Sequence, residues 1–110
     1  MSSNENERKR VYELTQGHCF YCGCKLDFDA FELEHFIAES KGGGNSGNRV
    51  PACSDCNRIK GNNGLDEFRG ILNGYKTEDI QVRLMEKYRD VMEKKGGVVF
   101  YFEENGLSPI

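Results

Sequence analysis

The chain has 110 residues, with 37% hydrophobic and 30% charged residues and a formal net charge of −3. This length and balance predict one small folded domain and argue against a disordered chain. It has no apolar run near the roughly 20 residues that cross a bilayer, and its N-terminus has no apolar signal segment, so we expect a cytoplasmic protein with no membrane partner. Five cysteines in a reducing compartment favour metal binding over disulfides.

The first part of the chain predicts a helix followed by a tight turn. Residues 4–16 have helical spacing and a narrow apolar face. The turn, residues 18–24, carries Cys19 and Cys22, two thiols spaced to share one metal ion.

The middle of the chain predicts a strand, a loop, a short strand and a polar helix. Residues 31–37 alternate as in a strand, and the loop 42–47 is rich in glycine. The run 50–52 is the second strand. A helix then starts at the pair Cys53-x-x-Cys56 and ends at Gly61.

The last part of the chain predicts two helices and a strand. Residues 65–72 have the pattern of a short helix, and residues 77–95 that of a longer one with an apolar stripe. Residues 98–102 form an apolar, strand-like run with no strand partner nearby in sequence. This unpaired strand and the long helix favour a homodimer.

The four paired cysteines predict a structural zinc site. The pairs Cys19/Cys22 and Cys53/Cys56 supply four thiolates, which is a complete tetrahedral ligand set for Zn²⁺. A closed site of this kind is structural, and its binding energy contributes to folding. We expect Cys24 to be a packed thiol, and His18 is an alternative ligand in place of one sulfur.

Four polar residues around the loop suit phosphodiester hydrolysis. A single histidine on a strand usually has only a structural role. His35, however, lies beside Glu34, and Asn48 and Asn57 follow it in the chain. A histidine can act as a base near neutral pH, and carboxylate or amide oxygens suit Mg²⁺ or Mn²⁺. Adjacent strand residues point to opposite faces, so Glu34 and His35 meet only if the strand bends or a helix packs at its edge.

At these residues the chain resembles the HNH endonucleases, which have a ββα-metal fold. The resemblance rests on the two C-x-x-C pairs, Glu34-His35, Gly42-Gly43-Gly44, Asn48 and Asn57-Arg58, and it covers about residues 8–65. It implies that His35 is the general base, that Asn48 holds the loop and the histidine in place, and that Glu34 and Asn57 bind the catalytic Mg²⁺ or Mn²⁺.

The chain departs from this family at two positions. Glu34 stands where the family more often has aspartate, which shifts the carboxylate by one methylene. Asn57 stands where the founding motif has histidine, a variant that favours an oxygen-preferring ion such as Mg²⁺ or Mn²⁺.

We therefore expect an α+β fold: a small ββα-metal core with a structural zinc site of four cysteines, flanking N- and C-terminal helices and a C-terminal strand. Residues 1–110 would form one HNH nuclease domain, with residues 66–110 as an extension of the core. The predicted function is a metal-dependent DNA endonuclease that nicks DNA or cuts it with weak specificity. One alternative is a catalytically silent, zinc-stapled module that binds nucleic acid or protein, and another is a nuclease that acts mainly on RNA.

Basic residues are concentrated in the middle of this acidic chain. Residues 41–60 hold four of them against Asp55 alone, and a locally positive surface favours a polyanion even when the net charge is negative. The predicted DNA-phosphate contacts are Lys41, Arg49, Arg58 and Lys60, with Arg69 as a further candidate, although each also suits an ordinary solvated charge.

Overall fold

The computed structural model describes residues 3–73 and 98–110. The elements are α1 (Ser3–Leu14), β1 (Glu32–His35), a 3₁₀ turn (Glu39–Lys41), β2 (Arg49–Ala52), α2 (Ser54–Lys60), α3 (Leu65–Asn73) and α4 (Tyr101–Glu104). The α+β prediction is confirmed, and the helix predicted over 77–95 lies outside the described residues. None of the helices in these two ranges is long and apolar enough to span a bilayer.

The two strands form an antiparallel sheet in which His35 is the cross-strand neighbour of Arg49. Strand β1 ends at His35, before the predicted limit, and Ile37 is 50% exposed. The side chain of Asn48 hydrogen-bonds the backbone of Ile37, and this contact replaces the strand ladder at that point. Within β1 the buried residue is Glu34, so an acidic side chain faces inward where a strand normally places an apolar one.

Helix α2 begins and ends with local backbone contacts that the sequence encodes. The Cys53 sulfur accepts the backbone N–H of Cys56 at 3.4 Å, which caps the first turn. Gly61 ends the helix with φ 54°, a conformation that glycine adopts at little cost. The helix packs against β1 and α3, and this packing brings Asn57 to the sheet.

The core is largely aromatic and joins distant parts of the chain. Phe20, Tyr21, Phe68 and Phe100 are fully buried. The rings of Phe68 and Phe100 stack with centroids 5.2 Å apart, and Phe20 meets Tyr21 edge-on at 5.6 Å. Each such pair adds about 0.5–1.5 kcal/mol beyond the burial of its apolar area. The thiol-bearing turn is therefore held by rings from α3 and the C-terminal segment.

The predicted C-terminal strand over 98–102 is wrong, because α4 starts at Tyr101. The Glu103 carboxylate accepts the backbone N–H of Phe100 at 2.9 Å and so fixes the start of a helix. The apolar run is explained by the core: Val98 and Phe100 are buried, and the ring of Phe102 stacks on Phe20 at 4.4 Å. The segment packs onto its own domain, so the strand argument for a homodimer no longer applies.

Candidate functional site

The four paired cysteines converge on one point. The sulfurs of Cys19, Cys22, Cys53 and Cys56 all lie within 4.8 Å of one another, which fits a single metal ion. The pKa of Cys53 is lowered, first by the hydrogen bond with the Cys19 thiol, whereas the pKa of Cys22 is raised, first by the same thiol, so the sulfurs share their protons as one group. The cluster lies at the junction of the turn 18–24 and α2. The predicted ligand set therefore meets in space, and this donor set suits zinc.

A cleft with a volume of about 530 Å³ lies between β1, the 3₁₀ turn and α2. Its walls are formed by Leu33, Glu34, His35, Ala38, Glu39, Ser40, Asn57, Gly61 and Asn62. Glu34 and His35 both reach it although they are adjacent in β1, because α2 packs against the strand and closes the cleft from the side. One concave site therefore holds three of the four polar residues expected to be catalytic.

The half-buried imidazole of His35 contacts three neighbouring side chains through Nε2. Asn45 Oδ1 lies at 2.8 Å, Arg49 Nη1 at 3.0 Å and Glu39 Oε1 at 3.4 Å. Arg49 is in turn paired through its Nε with Glu7 Oε1 of α1 at 3.0 Å. The ring is thus held from the loop on one side and from β2 on the other.

Asn48 fastens the loop between the strands to the end of β1. Its Oδ1 accepts the N–H of Ile37 at 2.7 Å, and its Nδ2 donates to the carbonyls of Ile37 at 2.9 Å and Gly44 at 2.8 Å. The amide orientation follows from these partners, since the reverse one would set its oxygen against two carbonyls. Asn48 is only 6% exposed and does not line the cleft, and its contacts join the loop to the end of β1.

Gly43 lies directly under this contact. A Cβ built there would come 1.8 Å from the Ile37 carbonyl oxygen and 2.8 Å from Asn48 Nδ2. No residue with a side chain fits without moving the backbone, so the glycine is required by space. A Cβ built at Gly42 or at Gly44 would meet no atom within 4 Å.

Glu34 is buried at the inner wall of the cleft. It is 6% exposed, and burial raises its pKa to about 7, while the positive charge of Lys60 acts in the opposite direction. The Lys60 ammonium nitrogen lies 3.8 Å from Glu34 Oε1, too far for a hydrogen bond. Among the residues that the structure describes, neither oxygen of this carboxylate has a hydrogen-bond partner.

The cluster and the cleft lie within the segment that matches a known family. The family model described as HNH endonuclease matches residues 19–72. Residues 19–72 therefore belong to the HNH endonuclease family. The resemblance stated from the sequence is thereby confirmed.

Two relatives come from one organism, Actinomyces naeslundii. The chain is 33% identical over 64 residues, 56% of its length, to the CRISPR-associated endonuclease Cas9 of strain ATCC 12104, and it covers 6% of that protein. The crystal structure of the type II-C Cas9 enzyme superposes with a TM-score of 0.49 at 25% identity, over 83% of this chain and 11% of that one. The chain therefore spans only a small part of the relatives it matches.

The basic residues predicted to bind DNA fall into two groups around the HNH site. The side chains of Lys41 and Arg58 are 47% and 68% exposed, and they pair with Glu67 and Asp55. Arg49 is largely covered and contacts His35, and Lys60 is fully buried. A surface phosphate contact by Lys60 is therefore contradicted by its burial. Helix α2 has only seven residues, too few for the sequence pattern to show that Lys60 faces inward.

Two contacts of His35 were not predicted from the sequence. Asn45 and Glu39 touch His35 from the loop, although glycine and serine residues surround them in the sequence. The 3₁₀ turn places Glu39 four residues after His35, a spacing that brings side chains together on a helical turn. The four-residue spacing is visible in the sequence, but no local pattern predicts the 3₁₀ turn that makes it effective.

Proposed function

We propose that the chain is a metal-dependent DNA endonuclease in which His35 is the general base. The observation that carries this proposal is that Glu34, His35 and Asn57 line one cleft of about 530 Å³. The chemistry needs a base for the attacking water and oxygen ligands for a divalent ion in the same concave site. Membership of the HNH endonuclease family supports the same reaction class.

The carboxylate and amide of the cleft fit a divalent ion. Glu34 offers two buried oxygens that have no hydrogen-bond partner in the described part of the chain, and Asn57 offers an amide oxygen on the facing helix. Hard oxygen donors of this kind suit Mg²⁺ or Mn²⁺. When bound, the ion supplies charge stabilisation at the phosphate and at the leaving oxygen.

His35 acts on water in the proposed reaction. The imidazole takes a proton from a water molecule, whose oxygen attacks the phosphorus in line with the leaving 3′ oxygen, so that cleavage leaves a 5′ phosphate. Asn45 and Arg49 hold the ring in place from two sides. Asn48 acts indirectly, because it fastens the loop that carries Asn45. The four sulfurs are proposed to hold a closed structural zinc ion, and this ion takes no part in the hydrolysis.

The substrate of the proposed enzyme is a nucleic-acid backbone. Exposed Lys41 and Arg58 would contact phosphates next to the cleft, and such contacts fix position without reading sequence. One cleft reaches one strand at a time, so we expect nicking of duplex DNA rather than paired cuts.

One observation favours the alternative of a catalytically silent module. Glu34 is already paired with the Lys60 ammonium, and His35 Nε2 is already in contact with Asn45 and Glu39. Such a site can bind substrate and metal only if these existing contacts break. The alternative predicts a folded, zinc-containing protein that binds nucleic acid and does not cut it.

A plasmid-nicking assay separates the two functions. Zinc-loaded native protein is mixed with supercoiled plasmid and Mg²⁺ or Mn²⁺ and compared with His35→Ala and with His18→Ala. His18 is the other histidine of the chain and stacks on Tyr101, away from the cleft, so it is the matched control. We expect nicking by the native protein and by His18→Ala, and a loss of at least about 100-fold in His35→Ala.

Absence of metal-dependent nicking by native protein that holds its zinc would contradict the proposal. The same reactions on single-stranded and folded RNA, run alongside, would then show whether the substrate is RNA. If neither substrate is cut, the binding module is the remaining function.

A further inference from the structure

Lys60 is unusual because a lysine is fully buried in a domain of this size. Its side chain has 0% exposure, and it lies in the last turn of α2, three residues after Asn57. Lysine is almost never fully buried unless it is paired, because moving an ammonium group out of water is costly. The position therefore calls for a partner.

The neighbours of Lys60 identify that partner. The ammonium nitrogen lies 3.8 Å from Glu34 Oε1 and 5.9 Å from the centroid of the Tyr21 ring. In the described ranges it has no hydrogen-bond partner, and neither do the two oxygens of Glu34. The two groups thus offset each other by charge without a direct hydrogen bond. The Tyr21 hydroxyl also lies beside Glu34 and helps to lower the pKa of the carboxyl, although it too is outside normal hydrogen-bond geometry.

We infer that Lys60 is the resident counter-ion of Glu34 and that its charge weakens and tunes the binding of a divalent ion at the cleft. This inference rests on the proposed function, in which Glu34 is a ligand of that ion. A cation that enters the cleft meets Glu34 with its negative charge already offset and meets the positive charge of Lys60 a few ångströms away. Both effects reduce the affinity, so Lys60 is a specificity-determining residue for the metal.

The arrangement also accounts for the unused oxygens of Glu34. A carboxylate that formed hydrogen bonds with neighbouring donors would have to lose them when a metal binds. A charge partner at 3.8 Å keeps the buried carboxylate in the folded protein without occupying its lone pairs. Glu34 therefore remains free to bind a cation at the wall of the cleft.

The inference is tested by titrating Mn²⁺ into zinc-loaded full-length protein and measuring the dissociation constant by calorimetry and by the electron paramagnetic resonance of free Mn²⁺. Lys60→Met keeps the length of the side chain and removes its charge. Lys25→Met removes an exposed lysine that does not line the cleft and is the matched control. Glu34→Gln identifies the binding that belongs to the cleft.

We expect Lys60→Met to bind Mn²⁺ at least about tenfold more tightly than native protein when each is titrated over a range of pH and compared at its tightest binding, because removal of one positive charge at this distance in a covered site is worth a tenfold change or more. The comparison spans pH because Lys60 lowers the pKa of Glu34, so its removal also favours the protonated carboxyl. Lys25→Met should stay within twofold of native, and Glu34→Gln should lose the site. Binding that emerges only in Lys60→Met supports the inference equally. Lys60→Gln serves as a second neutral variant if circular dichroism shows that Lys60→Met is unfolded.

Two outcomes separate this inference from the proposed function. If native protein binds Mn²⁺ and Glu34→Gln does not, but the neutral Lys60 variants bind no more tightly than native, the inference is wrong and the proposed site stands. If neither the native protein nor the neutral Lys60 variants have any Mn²⁺ binding that depends on Glu34, the proposed metal site is wrong and the inference falls with it.

Discussion

Replacement of Asn48 is expected to destabilise the domain and to inactivate the cleft, although Asn48 does not line it. Asn48→Ala removes three hydrogen bonds, of 2.7, 2.9 and 2.8 Å, from a residue that is only 6% exposed. At about 1 kcal/mol for each bond, the free energy of unfolding should fall by about 2–4 kcal/mol. This is a large share of the roughly 5–15 kcal/mol that stabilises a typical domain.

Asn48→Asp tests the reasoning more sharply than alanine does. Aspartate keeps an oxygen for the N–H of Ile37, but it places its second oxygen against the carbonyls of Ile37 and Gly44, where the amide had donated. We expect it to be at least as destabilising as alanine at neutral pH. Urea unfolding of zinc-loaded protein, followed by circular dichroism, measures both variants, and nicking of plasmid measures the cleft.

Asn63→Ala is the control for these variants, since Asn63 lies in the turn after α2, outside the loop. Native-like stability in Asn48→Asp would refute the assignment of the amide as a two-carbonyl donor. A loss of less than about 0.5 kcal/mol in Asn48→Ala would show that the loop does not depend on this side chain.

Three further predictions follow from particular contacts. Gly43→Ala should abolish nicking and distort the loop, because its Cβ would meet the Ile37 carbonyl oxygen at 1.8 Å, whereas Gly44→Ala, with open space at its Cβ, should nick like native protein. Removal of zinc by a chelator, or Cys56→Ser, should abolish cooperative unfolding measured by circular dichroism, because four thiolates hold the turn to α2; a cooperative transition that persists without zinc would contradict this. The pKa of Glu103 is lowered, first by its hydrogen bonds with Arg69, so this pair should add stability above the carboxyl's unfolded pKa and lose it as the pH falls through the lowered value. At pH 7, which is above that range and where the thiolates can keep their zinc, Glu103→Gln should therefore be less stable than native protein in urea unfolding, and equal stability would count against the pair.

Most of the ββα unit could be predicted from the sequence, because local patterns determine its helices and its second strand. The helices α2 and α3 and the second strand were predicted close to their observed limits, since thiol spacing and Gly61 mark them. Both C-x-x-C pairs were expected at one point, and they meet there. Spacing alone was enough, because two thiols on a tight turn have few ways to be arranged.

The C-terminal segment and Lys60 could not be predicted, because their structure depends on contacts between residues that are distant in the sequence. Residues 98–102 have the composition of a strand, yet the Glu103 carboxylate and the ring of Phe20 turn them into the start of a short helix against the core. Lys60 looked like a surface charge because lysine usually is one, and its burial depends on Glu34 from another element. The role of each residue as catalyst, strut or ligand remains a proposal that the experiments above address.

The C-terminal segment also determines the order in which the domain can form. Tyr101 donates through its hydroxyl to the Thr15 carbonyl, 86 positions earlier, and its backbone N–H donates to the Tyr21 carbonyl. On a ribosome both thiol pairs are available to zinc as soon as residue 56 has emerged, while the rings that cover Phe20 and Tyr21 are made much later. Contacts of such long range close slowly. The nascent chain therefore passes through an interval in which both thiol pairs can already take up a metal ion while the aromatic surface is still exposed, and that interval is when it most needs protection from aggregation.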